Sequence, residues 1–359
     1  MSHVGHSMSP EEWKVEKIAV AGPGIVGMPM AGMLAHARIS TGPEGPAEVV
    51  IVQRNSPTSG WKVDTINAGN SVIGGVEPDL NRIVSDAVRQ GLLRATHDYG
   101  EISDADVVLV CVQTDKKGFG PDYGPMLEAL NEIAEALRSK PQSKTPLVIF
   151  ESTLAPSSMA TIIREHFSSF GLEEGRDILL GNSPNRVMPG RLVERVRDSD
   201  KIVAGLSPVT PQLIRKLYGF IVTQGRLHEA NSLTAEVIKT LENAYRDVRI
   251  AFASEIVRFC DERDISFFDL RDRVNRMLEQ SDAASGQATA VPSGGLLVPT
   301  VGVGGHCLPK DGILLWWRKL EQGKETPSSL ILESRRINDE SPLQTLRLAE
   351  RAFGSLSGR

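Results

Sequence analysis

The stretch Lys17-Ile18-Ala19-Val20-Ala21-Gly22-Pro23-Gly24-Ile25-Val26-Gly27 decides the fold: an apolar run of strand character enters a Gly-x-Gly-x-x-Gly turn, and residues 25–37 beyond it read as helix. Strand, turn and helix in that order give the glycines separate tasks: the tight turn, close backbone approach to a pyrophosphate, and close packing of helix on strand. The helix N-terminus then offers N–H groups to the phosphates. Gly22, Gly24, Ile25, Val26 and Gly27 are therefore the expected dinucleotide cradle. A plain βα turn is the competing reading, and the position directly after the first strand disfavours it.

Working outward, strand-like runs recur at residues 17–21, 48–53, 107–112, 147–150, 178–180 and 201–204, separated by helix-like segments such as 25–37, 85–91, 126–139 and 157–170. That alternation predicts βα units and an α/β, Rossmann-type parallel sheet over residues 1–208. Beyond 208 the alternation stops. Residues 232–263 read as one long helix, with Leu233, Val237, Leu241, Ala244, Val248, Ala251, Phe252, Ile256 and Phe259 recurring every three or four positions. At roughly 1.5 Å per residue it exceeds 40 Å, a length that suggests sharing with a second subunit. The expectation is an all-α dimerisation domain over 209–345, a homodimer, and a C-terminal tail at 346–359. The small, polar composition of residues 280–295 reads as a flexible loop.

A chain of 359 residues suggests two or three domains. Its net charge of -5, without a basic run, excludes a nucleic-acid groove or an anionic membrane surface as the expected partner. The first residues show no signal-peptide pattern, and no stretch reaches the roughly 18 apolar residues of a membrane span, so a soluble, cytoplasmic protein is expected. Cys111, Cys260 and Cys307 are far apart, which predicts neither a disulfide framework nor a metal site.

Cys307 differs from the other two by context. It lies in Gly302-Val303-Gly304-Gly305-His306-Cys307-Leu308-Pro309-Lys310-Asp311, an accessible turn with a carboxylate four residues on, where a thiol is a candidate nucleophile. Lys239 and Asn243 share one face of the long helix, with Arg246 close by, and with a thiol to serve they make a plausible oxyanion-stabilising pair. At the end of the second strand, where a carboxylate would hold the adenosine ribose of NAD, the chain has Gln53 and Arg54. Gln53 can bond a hydroxyl and Arg54 can accept a 2′-phosphate, so NAD and NADP both stay open. Val112 and Thr114, and Glu151, Ser152 and Thr153, follow further strands at the ligand-binding edge of such sheets; for Ser152 a helix cap is the stronger reading.

In order and spacing, Gly22 to Gly27, Glu151-Ser152-Thr153, Pro184-Asn185-Arg186-Val187-Met188-Pro189-Gly190-Arg191, the Lys239/Asn243/Arg246 helix and Gly304 to Asp311 resemble the UDP-glucose/GDP-mannose dehydrogenase family. The likeness covers about residues 16–345 and is greatest to its UDP-N-acetylhexosamine branch. It implies NAD-dependent oxidation of a sugar C6 hydroxyl to a uronic acid through a thiohemiacetal and a thioester. The resemblance makes Cys307 the nucleophile, Lys239 and Asn243 the oxyanion partners, Asp311 a proton-transfer group and Thr153 a water-positioning hydroxyl. It places Asn185, Arg186, Arg246, Gly304 and Gly305 at the sugar substrate.

Two features depart from the family pattern. The residue between Pro184 and Arg186 is usually a glutamate that acts with water; here Asn185 cannot take a proton, so either Glu151 serves or hydrolysis is slow. The family also continues past residues 335–339 into a third domain that binds the substrate's nucleotide, whereas this sequence stops at Arg359. That domain is then expected to be absent or supplied by another chain, or the substrate lacks a nucleotide diphosphate. The alternatives to a four-electron 6-dehydrogenase are a two-electron alcohol dehydrogenase on a glycoside or nucleoside, and a non-catalytic degenerate homologue.

Overall fold

The computed structural model describes residues 9–42, 45–118, 120–284, 294–321 and 328–358. In chain order the elements are β1 (Lys17–Ala21), α1 (Gly27–His36), β2 (Glu48–Val52), α2 (Trp61–Asn67), α3 (Leu80–Arg89), β3 (Leu93–Thr96), β4 (Val107–Val110), β5 (Asp115–Lys117), β6 (Gly120–Asp122), α4 (Gly124–Arg138), β7 (Leu147–Phe150) and α5 (Arg164–Ser169). They continue with β8 (Leu179–Asn182), α6 (Leu192–Asp198), β9 (Lys201–Gly205), α7 (Thr210–Tyr218), β10 (Leu227–Asn231), α8 (Ser232–Glu262), α9 (Phe267–Ala284), α10 (Leu308–Glu321) and α11 (Leu330–Phe353).

Eight strands form one sheet in the order β10-β9-β8-β7-β4-β1-β2-β3, and β5 pairs with β6 apart from it. Every assigned pairing of the large sheet is parallel except β8 with β9, where Gly181 faces Gly205. The central strands β1, β4 and β7 are continuous apolar runs because helices cover both faces of a parallel sheet, and nearly all of their residues are fully buried. The six strands expected from sequence are all present. The two others, β3 (LRAT) and β10 (LHEAN), are the two edges of the sheet. Half-covered edge strands need no apolar run, so periodicity does not flag them.

The chain divides into two compact units, residues 1–117 with 121–239, and 118–120 with 240–359. In the first unit the sheet continues past residue 208: α7 packs on β8 and β9, and β10 adds an edge strand that ends at Asn231. Residues 240–359 carry only helices among the described residues. The long helix forms as expected, over Ser232–Glu262. Residues 280–284 of the expected loop instead close α9, and 285–293 lie outside the described residues. The expected tail begins inside α11, which runs to Phe353. Among the described residues no helix is long and apolar enough to cross a membrane.

Candidate functional site

The turn after β1 opens a cavity of about 480 Å³ in the first unit, with walls from the β1–α1 turn, the ends of β2 and β4, and α4. Gly22, Gly24, Gln53, Arg54 and Val112, the cofactor-binding candidates from the sequence, all line it. Gly22 has φ +94°, which disfavours any residue with a Cβ. At Gly27 a Cβ would stand 2.1 Å from the Gly22 carbonyl oxygen and 3.0 Å from the Cys111 Cβ, so helix and strand meet this closely only over glycine. Around Gly24, by contrast, nothing lies within 4 Å of an added Cβ, so that side of the turn is open. An open glycine, a helix of ten residues starting at Gly27 and a wall at the end of β2 fit a dinucleotide.

Several lining residues were not legible as site residues in the sequence: Ser59, Lys62, Tyr99, Glu128 and Glu132. They come from a loop, two helices and a 3-10 turn that carry no motif. Arg54 reaches across to Glu128, Nη1 to Oε2 at 2.8 Å, with both side chains about two-thirds exposed. Gln53 is committed locally, its Nε2 donating to Ser59 Oγ at 2.9 Å. Burial, and then the charge of Glu132, pushes the Tyr99 phenol above its usual range.

Thr114 and Ser152 do not line the cavity. The Thr114 hydroxyl donates to the Thr153 carbonyl at 2.7 Å, and the Ser152 hydroxyl donates to the Val112 carbonyl. They hold the ends of β4 and β7 together. Ile25 is largely exposed and Val26 packs against the sheet core.

Beneath the strand ends lies a buried polar cluster. Glu151 is 2 % exposed and accepts from Lys201 Nζ at 2.8 Å, from Asn185 Nδ2 at 2.9 Å and from the Tyr218 hydroxyl. Lys201 Nζ also donates to the Ser183 carbonyl at 2.9 Å and sits 5.3 Å from the centre of the Tyr218 ring. Burial first, then Glu151, drives the Tyr218 phenol well above its usual range, so it stays a neutral donor. Burial and the Glu151 charge likewise raise the Cys111 thiol, offset only in part by Lys201. Both oxygens of Glu151, expected as a replacement base, accept from three donors, one of them the buried Lys201 ammonium. The Asn185 side chain has a positioning part here, since its Oδ1 accepts from Val187 N at 3.1 Å while its Nδ2 holds Glu151. Arg186 follows it, half-buried.

The start of α8 is fixed to the same unit. Glu236, 1 % exposed, accepts from the backbone N–H groups of Ser157 and Met159 at 2.7 and 2.8 Å, satisfying donors at the start of the helical turn Met159–Ile163 that leads into α5. One turn later on α8 comes Lys239, and Asn243 a further turn on.

In the second unit, Cys307 is exposed and immediately precedes α10; its carbonyl accepts from the N–H groups of Lys310 and Asp311, at 3.2 and 2.9 Å. Asp311 is fully buried on the first turn of α10. Its Oδ2 accepts from Asn243 Nδ2 at 2.6 Å and its Oδ1 from Lys310 Nζ at 2.6 Å. Asn243 and Asp311, read separately from sequence, therefore meet in one hydrogen bond. Lys310, itself 4 % exposed, is a third member not singled out in the sequence. Its signal was available only as adjacency to Asp311. Gly304 and Gly305 are exposed ahead of the thiol, and Arg246 is exposed on α8.

A glycine-lined turn on a parallel sheet, with a cavity at the C-terminal strand ends, is the architecture of a dinucleotide-binding fold. The chain belongs to the UDP-glucose/GDP-mannose dehydrogenase family: the family's NAD binding domain matches residues 16–222 and its central domain residues 233–340. It is similar to a UDP-N-acetyl-D-mannosamine dehydrogenase of Pyrococcus horikoshii, at 32% identity over 91% of this chain and 69% of that protein. It is also similar to an NDP-N-acetyl-D-galactosaminuronic acid dehydrogenase of Ralstonia nicotianae, at 33% identity over 94% of this chain and 72% of the relative. A crystal structure of an NDP-N-acetyl-D-galactosaminuronic acid dehydrogenase from Methanosarcina mazei superposes with a TM-score of 0.79 at 30% identity, covering 98% of this chain and 73% of that one. The protein is an oxidoreductase of the nucleotide-sugar dehydrogenase family with a nicotinamide-cofactor domain.

Proposed function

We propose that the protein oxidises the C6 hydroxyl of an NDP-N-acetylhexosamine to the uronic acid, with Cys307 as the covalent nucleophile. The observation that carries this reading is the Asn243–Asp311–Lys310 cluster on the turn that presents Cys307. The relatives' names, UDP-N-acetyl-D-mannosamine and NDP-N-acetyl-D-galactosaminuronic acid dehydrogenases, support the substrate class.

The nicotinamide cofactor, NAD in the usual case for this family, accepts two electrons at each oxidation. The residues of this chain do the rest. Gly22, Gly24 and the start of α1 hold the pyrophosphate. Cys307 attacks the C6 aldehyde and forms the thiohemiacetal; oxidation of that adduct gives the thioester, and water releases the acid and the thiol. Lys239 and Asn243, one turn apart on α8, stabilise the oxyanion, and Asp311, oriented by Asn243 and Lys310, takes and returns the proton. Thr153 positions water, and Arg186 and Arg246 bind the substrate's phosphates or sugar.

The cofactor-binding part of this reading runs through β10, and the remainder is the sugar-oxidising, dimerising part. Leu241, Tyr245, Phe252 and Phe259 form an exposed apolar row along α8, which supports pairing with a second copy.

Cys307→Ser tests the covalent route, because an alkoxide is a poor trap beside a thiolate. Acid formation should fall at least a hundredfold, about 2.7 kcal/mol of transition-state stabilisation, with aldehyde accumulating. Unchanged acid formation by this variant would overturn the mechanism.

A further inference from the structure

The far end of the cofactor cavity is built for a charge that the family's usual cofactor lacks. Where β2 ends, a carboxylate that grips the two ribose hydroxyls would also repel a 2′-phosphate; here Gln53 stands in its place and bonds Ser59. Arg54, Ser59 and Lys62, two cationic residues and a hydroxyl, also line this cavity. Ser59 is held in place twice, by Gln53 Nε2 at 2.9 Å and by the Ser56 hydroxyl at 2.7 Å. Arg54, although about two-thirds exposed, lines the cavity. It is held at the cavity by Glu128 of the opposite wall, at 2.8 Å, in an exposed pair worth little and readily exchanged. A phosphate dianion is a stronger, bidentate partner for a guanidinium than a single carboxylate oxygen.

We propose that this cavity is a 2′-phosphate site and that the chain takes NADP in preference to NAD, with Arg54, Lys62 and Ser59 recognising the phosphate and Glu128 releasing Arg54 to it. The proposal rests on the dinucleotide reading of the cavity and adds to it a specificity that the family name does not carry.

Calorimetric titration of the purified full chain with NADP, NAD, 2′,5′-ADP and ADP at low ionic strength is the test, with the exposed substitution Arg54→Gln as the comparison protein. The wild type should bind NADP at least tenfold more tightly than NAD, and 2′,5′-ADP at least tenfold more tightly than ADP. Arg54→Gln should weaken NADP tenfold or more while leaving NAD within threefold. NAD bound as well as or better than NADP overturns the phosphate site while leaving the dinucleotide fold intact, and so does an equal loss of both cofactors in Arg54→Gln. Binding of neither dinucleotide by the wild type overturns both readings.

Discussion

Replacing Lys201 by Met removes the ammonium that faces Glu151 in the interior of the first unit. The Lys201 side chain is 8% exposed and that of Glu151 not at all, so water cannot take over the carboxylate. Tyr218 and Asn185 still donate to it, but neither carries charge. Removing one partner of a buried pair costs about 3–5 kcal/mol, because the other is left uncompensated in a low-dielectric site. At about 2–4 °C per kcal/mol for a unit of this size, the thermal midpoint should fall by roughly 6–20 °C. Methionine fills much of the aliphatic volume, so a cavity is a minor part of the loss. The decisive measurement is the double variant Lys201→Met/Glu151→Gln, followed by the same melt. A neutral amide needs no counter-ion, so the second substitution should return at least half of the lost stability, a coupling of opposite sign to simple addition. A loss below about 1 kcal/mol in Lys201→Met, or a double variant as unstable as the sum of its parts, would refute the argument that the ion pair governs this cluster.

Gly27→Ala should lower the unfolding free energy by about 1–3 kcal/mol or more and abolish dinucleotide binding, since its Cβ would meet the Gly22 carbonyl at 2.1 Å and force apart the turn proposed to cradle the phosphates; unchanged calorimetric binding would sink this account of the turn. Glu101 supplies the pH dependence: Arg94 first, then Lys17, holds its carboxyl down at about 2, against an ordinary 4.5. A folded value below the unfolded one means stability present above about pH 4.5 and lost between 4.5 and 2, and the largely open site limits it to about 1 kcal/mol. In Glu101→Gln the urea midpoint should fall less steeply with pH across that window, and parallel curves for the two proteins would show that the pairs contribute nothing.

The centre of the sheet was legible because burial on both faces demands uninterrupted apolar residues, as in Val107–Val110 and Leu147–Phe150. Its edges were not, since β10 has largely exposed residues such as His228 and Glu229 and joins the sheet through backbone bonds to β9. The cofactor turn could be read in full, as its function resides in consecutive residues. The far wall of the same cavity could not: Lys62 and Glu128 are 66 positions apart and meet only through the fold. The Glu151 cluster shows the same limit. Its partners at 185, 201 and 218 belong to a loop, a strand and a helix, each unremarkable alone, and only the fold brings them around one buried carboxylate.

That assembly bears on how a water would be activated. An amide at position 185 takes no proton, but it donates to Glu151, which a glutamate at the same position would do only when protonated. A second carboxylate there would also bring like charges to within about 3 Å and require one of them to hold a proton. With Asn185, the cluster is balanced as it stands: one anion, one cation and two neutral donors. The mechanism we propose therefore assigns proton transfer to Asp311 and leaves this cluster a positioning part. That carboxylate is likewise buried and paired, yet its backbone N–H is bonded to the Cys307 carbonyl at 2.9 Å, on the very turn that carries the thiol. Its partner Lys310 lies next to it on the first turn of α10, so acid, cation and thiol are carried by the five consecutive residues 307–311.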